Sequence, residues 1–422
     1  MPRLALLGGE PVRRSSIGKW PIITSEEEQA VIRVLRRGRL FASMYEGEEV
    51  PKFEEEFAAM VGAKYSVAVS SGTAALDIAL RAVGVSLGDE VITTPYTFIA
   101  TATSILHNHG VPVFADVEPR TRNIDPREIE KLVSERTKAI VVVHMAGHPV
   151  EMDEVMEVAE RHGLYVIEDA AQAHLAEYKG RRVGSIGHLA IFSFQQSKNM
   201  TAGEGGIITT NDGELAEICR SLREHGRRRD KPWYYHELLG WNYRMTELQA
   251  AILRAQLRRL PKVTEERRRN AELLSKLLSE FDFISPPYTA PYIKHAYHLY
   301  LVDYNPEILG VDKLTLARVV QAEGIPLSEG YCWPVYENPV FSDPAKRPKI
   351  PFAVIDREVE YRRGLCPVAE KLCYETGMWL PGYVLNAPRR ELEDVARVLE
   401  KVYRCRDELV EAAKLVASRH SP

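Results

Sequence analysis

No apolar run in this 422-residue chain approaches the ~20 residues of a membrane-spanning helix. The opening stretch, Met1 to Gly9, is too short an apolar run for a secretory leader, and Arg13 and Arg14 follow it. Cysteine is scarce. The five residues (Cys219, Cys332, Cys366, Cys373 and Cys405) are odd in number and scattered, and none forms a CxxC pair. That argues against a disulfide framework or a zinc site, and a reducing cytoplasm is the expected compartment. Neither sign of charge dominates: the net charge is -4 and both signs are interspersed. A nucleic-acid binder would need a basic stripe, so none is expected as a partner. Internal repeats and low-complexity segments are absent. The composition is that of a globular protein, 45% hydrophobic and 27% charged, in a chain too long for one small core.

Residues 1–24 hold Gly8, Gly9, Pro11, Trp20 and Pro21 and read as an extended arm packed on a neighbour. Helices are expected from Ser25 to Arg36, with Ser25 and Glu28 as a capping box, and from Pro51 to Val61. From Lys64 onward strands alternate with helices. Strands are expected at 65–69, 90–94, 112–115, 139–143, 164–169, 189–194 and 206–210. Near-continuous Val/Ile runs mark strands covered on both faces, so the fold class is α/β with a mostly parallel sheet. A long helical stretch follows from Thr246 to about Glu280, with Leu248, Ile252 and Ala255 on its apolar face and an interruption at Pro261. Beyond it the chain is richer in Pro, Tyr and Trp and reads as a smaller α+β lobe ending in one helix, Arg390 to Ala417. The expected division is an arm at 1–24, a large domain at 25–255 and a linking helix with a small domain at 256–422.

Ligands of open α/β sheets sit beyond the carboxyl ends of the strands. The residues there form a short set. Ser71-Gly72-Thr73-Ala74 opens a helix, whose first turn offers free N–H groups to a phosphate; taken alone it is an ordinary helix cap. Phe98 follows the second strand, where it can stack on an aromatic ring or simply fill a core. Asp169 ends a buried apolar strand, where a carboxylate needs a partner such as a protonated pyridine nitrogen; an ion pair would also serve. Lys198 follows the apolar run Ile191 to Phe194 and precedes the turn Gly203-Glu204-Gly205-Gly206. A strand that delivers one lysine to its exit presents an amine, and Lys198 is read as the residue that forms a Schiff base with pyridoxal 5'-phosphate. Most lysines are solvated surface charges, so this reading leans on the whole set.

In order and spacing, these positions resemble the fold-type I pyridoxal-phosphate enzymes. More narrowly, the chain resembles the DegT/DnrJ/StrS sugar aminotransferase family. The resemblance rests on Ser71 to Leu76, Gly88 to Ile92, Pro95 to Phe98, Val166 to His174, Gly184 to Gly187 and Asn242 to Ala250. It implies a large cofactor domain with a smaller C-terminal one. It implies that Lys198 holds the cofactor, Asp169 pairs with its pyridine nitrogen, Gln172 contacts the ring side and Phe98 stacks. Gly72, Thr73, Ala74 and Ser193 would hold the phosphate. Asn242 would reach the phosphate of a partner subunit, so the resemblance implies a homodimer with shared sites.

Phe194-Gln195-Gln196-Ser197-Lys198 is similar to a subgroup of glutamine:scyllo-inosose aminotransferases and 3-amino-5-hydroxybenzoate synthases. That implies transfer of an amino group from glutamine or glutamate to a ketone on a cyclitol or sugar. A dehydrating, aromatising lyase and a non-catalytic regulatory homologue are the alternatives. The segments Glu329 to Trp333 and Arg227 to Tyr235 depart from the subgroup pattern and are expected to line the acceptor pocket. His144 and His148 lie four apart but after a strand, so a metal is not expected there. Arg227-Arg228-Arg229-Asp230-Lys231 is by default a solvated face.

Overall fold

The computed structural model describes residues 3–43, 46–355 and 359–420. Seven strands form the central sheet: β1 (Tyr65–Val69), β2 (Glu90–Thr93), β3 (Val111–Phe114), β4 (Thr137–Val143), β5 (Tyr165–Asp169), β6 (Leu189–Ser193) and β7 (Gly206–Thr210). Their order is β1-β7-β6-β5-β4-β2-β3. Strand β7 runs antiparallel to both neighbours, and the other pairings are parallel. Six of the seven strands therefore point their carboxyl ends the same way.

Alternate side chains of each strand enter different cores, which is why the strands read as unbroken apolar runs. Val67, Val69, Val141, Ile167 and Ile191 pack with helix α3 (Gly72–Ala82) and helix α7 (Gly213–Arg223). On the other face, Ala68, Ala190, Phe192 and Ile207 pack with α2 (Glu49–Val61) and α8 (Glu247–Leu278). Ile92, Ile140, Val142 and Val166 pack with α5 (Pro126–Leu132) and α6 (Met152–His162). The short helix α4 (Ala100–His107) follows β2.

A second core lies around an antiparallel sheet of β8 (Ile284–Ser285), β9 (Leu299–Tyr304) and β10 (Gly377–Pro381). It takes Leu274 and Leu278 from α8. It also takes residues of α9 (Lys313–Ala322), α10 (Arg389–Arg404) and α11 (Leu409–His420). Helix α8 crosses the boundary expected at 255/256 and feeds both cores. The N-terminal arm differs from expectation, because it packs on its own chain. Leu4 and Ile17 are buried in the second core, and Glu323 accepts the N–H groups of Ala5 (2.8 Å) and Val12 (3.0 Å). Three two-residue strands, Glu177–Tyr178, Arg181–Arg182 and Ile293–Lys294, form a small sheet that the pattern did not reveal.

Three local expectations are corrected. The first helix, α1 (Ser25–Arg37), is capped by Thr24 and Glu27, one residue before the expected pair. Both frames match the capping pattern, and burial of Glu27 against Arg259 of α8 selects the earlier one. Pro261 does not interrupt α8. Proline removes one backbone bond, yet Leu257 and Leu260 on one side and Ala271 and Leu274 on the other anchor the helix in both cores. The final helix is two helices. A turn at Arg406–Glu408 lets Glu408 accept the Leu4 N–H at 2.9 Å and turns Leu409 and Ala412 into the core.

Candidate active site

Strands β1, β2, β4, β5 and β6 all end on one edge of the sheet. Ser71, Tyr96, His144, Asp169 and Ser193 therefore leave it together. Ser71 is the N-cap of α3, and its Oγ accepts the Ala74 N–H at 3.1 Å. The first N–H groups of the helix have no partner within it. Gly72 sits directly on β6: a Cβ there would lie 2.8 Å from Ser193 Cβ and 3.1 Å from its Oγ. Only glycine lets the first turn of α3 approach Ser193 this closely. Ser193 Oγ also accepts the Gln195 N–H at 3.3 Å. Thr73 is half-buried and Ala74 is buried.

Adjacent residues of β5 point to opposite faces. Glu168 faces inward, where His144 Nε2 (3.0 Å) and the N–H groups of Gly184, Ile186 and Gly187 hold it. Burial raises its pKa, but His144 and these amides outweigh it and hold the carboxyl below the usual range. Asp169 faces the site. Thr101 Oγ1 donates to Oδ2 at 2.8 Å and the Ala171 N–H donates to Oδ1 at 3.2 Å. Burial pushes its pKa up against the lowering effect of these bonds and of Lys198. Thr97 backs Thr101, Oγ1 to Oγ1 at 3.1 Å. Gln172 is buried, and its Oε1 accepts the Ala146 N–H at 2.8 Å. Phe98 does not fill a core; 62% of it is exposed at the turn entering α4.

The lysine sits in a loop clamped at many points. The Phe194 N–H bonds Gly205 O at 2.8 Å, the Gln196 N–H bonds Gly203 O at 2.9 Å and the Lys198 N–H bonds Gln195 O at 2.9 Å. Gln256 of α8 grips Thr201 on both backbone groups, at 2.9 and 2.8 Å. Asn199 Nδ2 donates to Ala296 O at 2.8 Å, and Trp20 of the arm donates its indole N–H to Gln196 O at 2.7 Å. Burial depresses the Lys198 pKa to about 8, while Asp169 acts in the opposite direction.

Asn242 is exposed, one residue before Tyr243, whose carbonyl accepts the Ser70 N–H at 2.7 Å. His144 and His148 are both buried and serve separate networks; burial pushes His148 down to about 4. Among the described residues no His/Cys/Asp/Glu group is arranged to hold a metal. Among the described residues no helix is long and apolar enough to cross a membrane. The chemistry-based list missed Thr97 and Thr101. Both carried a signal, two hydroxyls four apart in sequence, with Thr97 before α4 and Thr101 within it.

Residues 21–403 match the model of the DegT/DnrJ/EryC1/StrS aminotransferase family. The chain belongs to this family. Among similar proteins is a putative L-glutamine:3-amino-2,3-dideoxy-scyllo-inosose aminotransferase of Streptoalloteichus tenebrarius, 36% identical over 413 residues. The match covers 96% of this chain and 99% of that one. An L-glutamine:2-deoxy-scyllo-inosose aminotransferase of Streptomyces kanamyceticus is 36% identical, with 95% and 96% covered. The crystal structure of 3-amino-5-hydroxybenzoic acid synthase superposes with a TM-score of 0.84 at 32% identity, over 93% of this chain and 100% of that one. The chain is thus a pyridoxal-phosphate-dependent aminotransferase of the fold-type I class, as the motifs implied.

Proposed function

We propose that this aminotransferase moves the amino group of glutamine or glutamate to a ketone on a cyclitol or sugar ring. The observation that carries the reading is the buried Asp169 at the carboxyl end of β5 and Lys198 in the loop after β6, near enough for each to influence the other's charge, beside the glycine-tight start of α3. A regulatory homologue would have no chemical need for that pair. The cradle fits pyridoxal phosphate. The N–H groups of Gly72 and Thr73, with Ser193 Oγ, would receive the phosphate at the positive end of α3, and Ala74, whose N–H is held by Ser71 Oγ, completes the turn beside them. Gly72 leaves no room there for a side chain. Asp169, with two hydrogen-bond donors already on it, has lone pairs left for a protonated ring nitrogen. Gln172 would flank the ring, and Phe98, exposed at the turn entering α4, would stack on it.

Bound pyridoxal phosphate supplies an aldehyde that takes up an amino group and a ring that withdraws electrons from the neighbouring carbon. Lys198 would hold the aldehyde, and its amine, once released, would be the group that moves a proton at the substrate carbon. Its depressed pKa suits that exchange, because a neutral amine is available near pH 8. Asp169 keeps the ring nitrogen protonated, and the Thr97–Thr101 pair keeps Asp169 aimed.

We also propose a cytoplasmic homodimer whose sites are shared, with Asn242 reaching the partner's phosphate. Asn242 is exposed, and so is the adjoining aromatic segment: Trp233 by 60%, Tyr234 by 76% and Leu239 by 79%. The likeness to 3-amino-5-hydroxybenzoic acid synthase favours one second reading, dehydration with aromatisation. Incubation of the loaded protein with glutamine and 2-deoxy-scyllo-inosose separates them. Transfer releases one 2-oxo acid per amine formed. Loss of water without consumption of the donor would overturn the transferase reading.

A further inference from the structure

The lysine loop begins in a tight turn. The Lys198 N–H closes it on Gln195 O at 2.9 Å. Gln195 Oε1 accepts both the N–H and the hydroxyl of Ser197, each at 2.8 Å. The Gln196 N–H crosses to Gly203 O at 2.9 Å. Gln196 O is served from elsewhere in the chain: the indole N–H of Trp20 donates to it at 2.7 Å. That bond lies two residues before the amine. Trp20 is in turn held in place. Arg267 of α8 lies over its ring, with 5.2 Å from the guanidinium carbon to the ring centroid. Arg267 is 2% exposed, and among the described residues it has no carboxylate partner; Asn386 Oδ1 accepts its Nε–H at 2.7 Å. A buried guanidinium without a counter-ion is held by the π face and the dipoles around it, so Arg267 keeps the indole in one plane.

The backbone is pinned on both sides of Trp20. A Cβ on Gly18 (φ +65°) would lie 2.4 Å from Tyr383 O, and Arg259 of α8 donates to Ile22 O at 2.7 Å. Further back, the arm is fastened to the second core. Arg13 pairs with Asp394 (2.5 Å) and Glu391 (3.1 Å) of α10, and Glu391 also accepts the Gly18 N–H at 3.5 Å. Glu323, just past the end of α9, takes the N–H groups of Ala5 and Val12. The other end of α9 is fastened by a buried lysine. Lys313, its first residue, is 6% exposed, and its Nζ donates to Tyr331 O (3.3 Å), Leu372 O (3.3 Å) and Gly377 O (3.2 Å). One ammonium thus ties three backbone strands to the helix that anchors the arm.

We propose that Trp20 is a positioning residue for Lys198: its indole N–H sets the turn that presents the amine, and the arm carries the placement of the C-terminal core to that turn. The inference rests on Lys198 as the cofactor lysine. Without the indole donor, Gln196 O must take water instead, and the turn is free to leave the one geometry that its other bonds allow. The amine then loses the fixed position from which it moves a proton. A small misplacement of a reacting group slows the chemical step steeply and leaves substrate binding as it was.

The test compares wild type with Trp20→Phe, which keeps a ring under Arg267 and removes the donor, and with Glu391→Gln, which weakens the arm's anchor. Amide hydrogen exchange is read residue by residue in the protein without cofactor. In Trp20→Phe the amides of Gln196 and Lys198 should exchange about fivefold faster, while that of Thr201, held by Gln256, keeps its rate. In the loaded enzyme the half-reaction with glutamine should slow by about fivefold or more at saturation, with its half-saturating concentration unchanged. Unchanged exchange at Gln196 and Lys198 overturns the proposal, and so does a loss carried by the half-saturating concentration. Faster exchange along the whole chain would mark general loosening and overturn it as well. Glu391→Gln should shift both readings in the same direction; no shift there overturns the arm's part, and this variant decides alone if Trp20→Phe does not fold. Capture of the cofactor by Lys198→Ala overturns the reading of Lys198, and this proposal with it.

Discussion

Lys198 and Asp169 show how one pair of side chains can be ready for chemistry before the cofactor arrives. Burial costs the ammonium of Lys198 more than the neutral amine, which moves its pKa from 10.5 to about 8. Below that pH the amine is charged and cannot attack an aldehyde; above it the amine is free. The rate at which apo protein captures added pyridoxal phosphate should therefore rise with pH and level off near 8, as followed by the absorbance of the lysine-bound cofactor. A rate still climbing at pH 10 would contradict it. Lys198→Ala should show no such absorbance at any pH. At this scale the motifs pointed to Gly72, Asp169, Gln172, Ser193 and Lys198, because each has an unusual place near a strand end. Thr101 carried only a weak signal, since hydroxyls have no charge pattern.

Helices and strands explain why these side chains converge. Helix α3 starts where it does because Ser71 caps it and Gly72 can lie against Ser193. Gly72→Ala places a Cβ 2.8 Å from Ser193 Cβ, so α3 must retreat from β6. Strain of this kind costs roughly 1–3 kcal/mol. The expected outcome is a cofactor affinity weakened by about tenfold or more in an absorbance titration, with Lys198 intact. Unchanged affinity would mean that the helix start does not hold the phosphate. The strands of the central sheet were legible to within about two residues, since β-branched runs buried on both faces leave few alternatives. The ends of the helices were less so. The capping frame at Thr24 was chosen by Arg259, far away in the chain, and Pro261 was tolerated because two cores hold α8 on either side of it. Local rules do not contain those contacts.

For the whole molecule, we propose the division 1–24, 25–255 and 256–422, with the arm serving the C-terminal core and α8 joining the two larger parts. The shared-site dimer makes a sharp prediction. Lys198→Ala and Asn242→Ala are each expected to lose activity in opposite halves of the same site. Mixed and re-equilibrated, they form heterodimers in which one site has both groups intact. Activity should return to roughly a quarter of wild type at equal amounts, which is the fraction of intact sites for random pairing in a two-fold dimer. No recovery, with subunit exchange verified by mass, would show that each chain completes its own site. The proposed dimer rests on the resemblance, because exposed aromatics such as Trp233 and Tyr234 look in sequence like any others.

Lys313 grips only main-chain oxygens. Every residue has such an oxygen, so the clamp is indifferent to which side chains those three strands carry. Substitutions at 331 or 372 leave the fastening in place, whereas Gly377 has no room for a side chain beside Leu372 O and the Tyr96 hydroxyl. The path of the backbone here is therefore held apart from the side chains that it displays at 331 and 372.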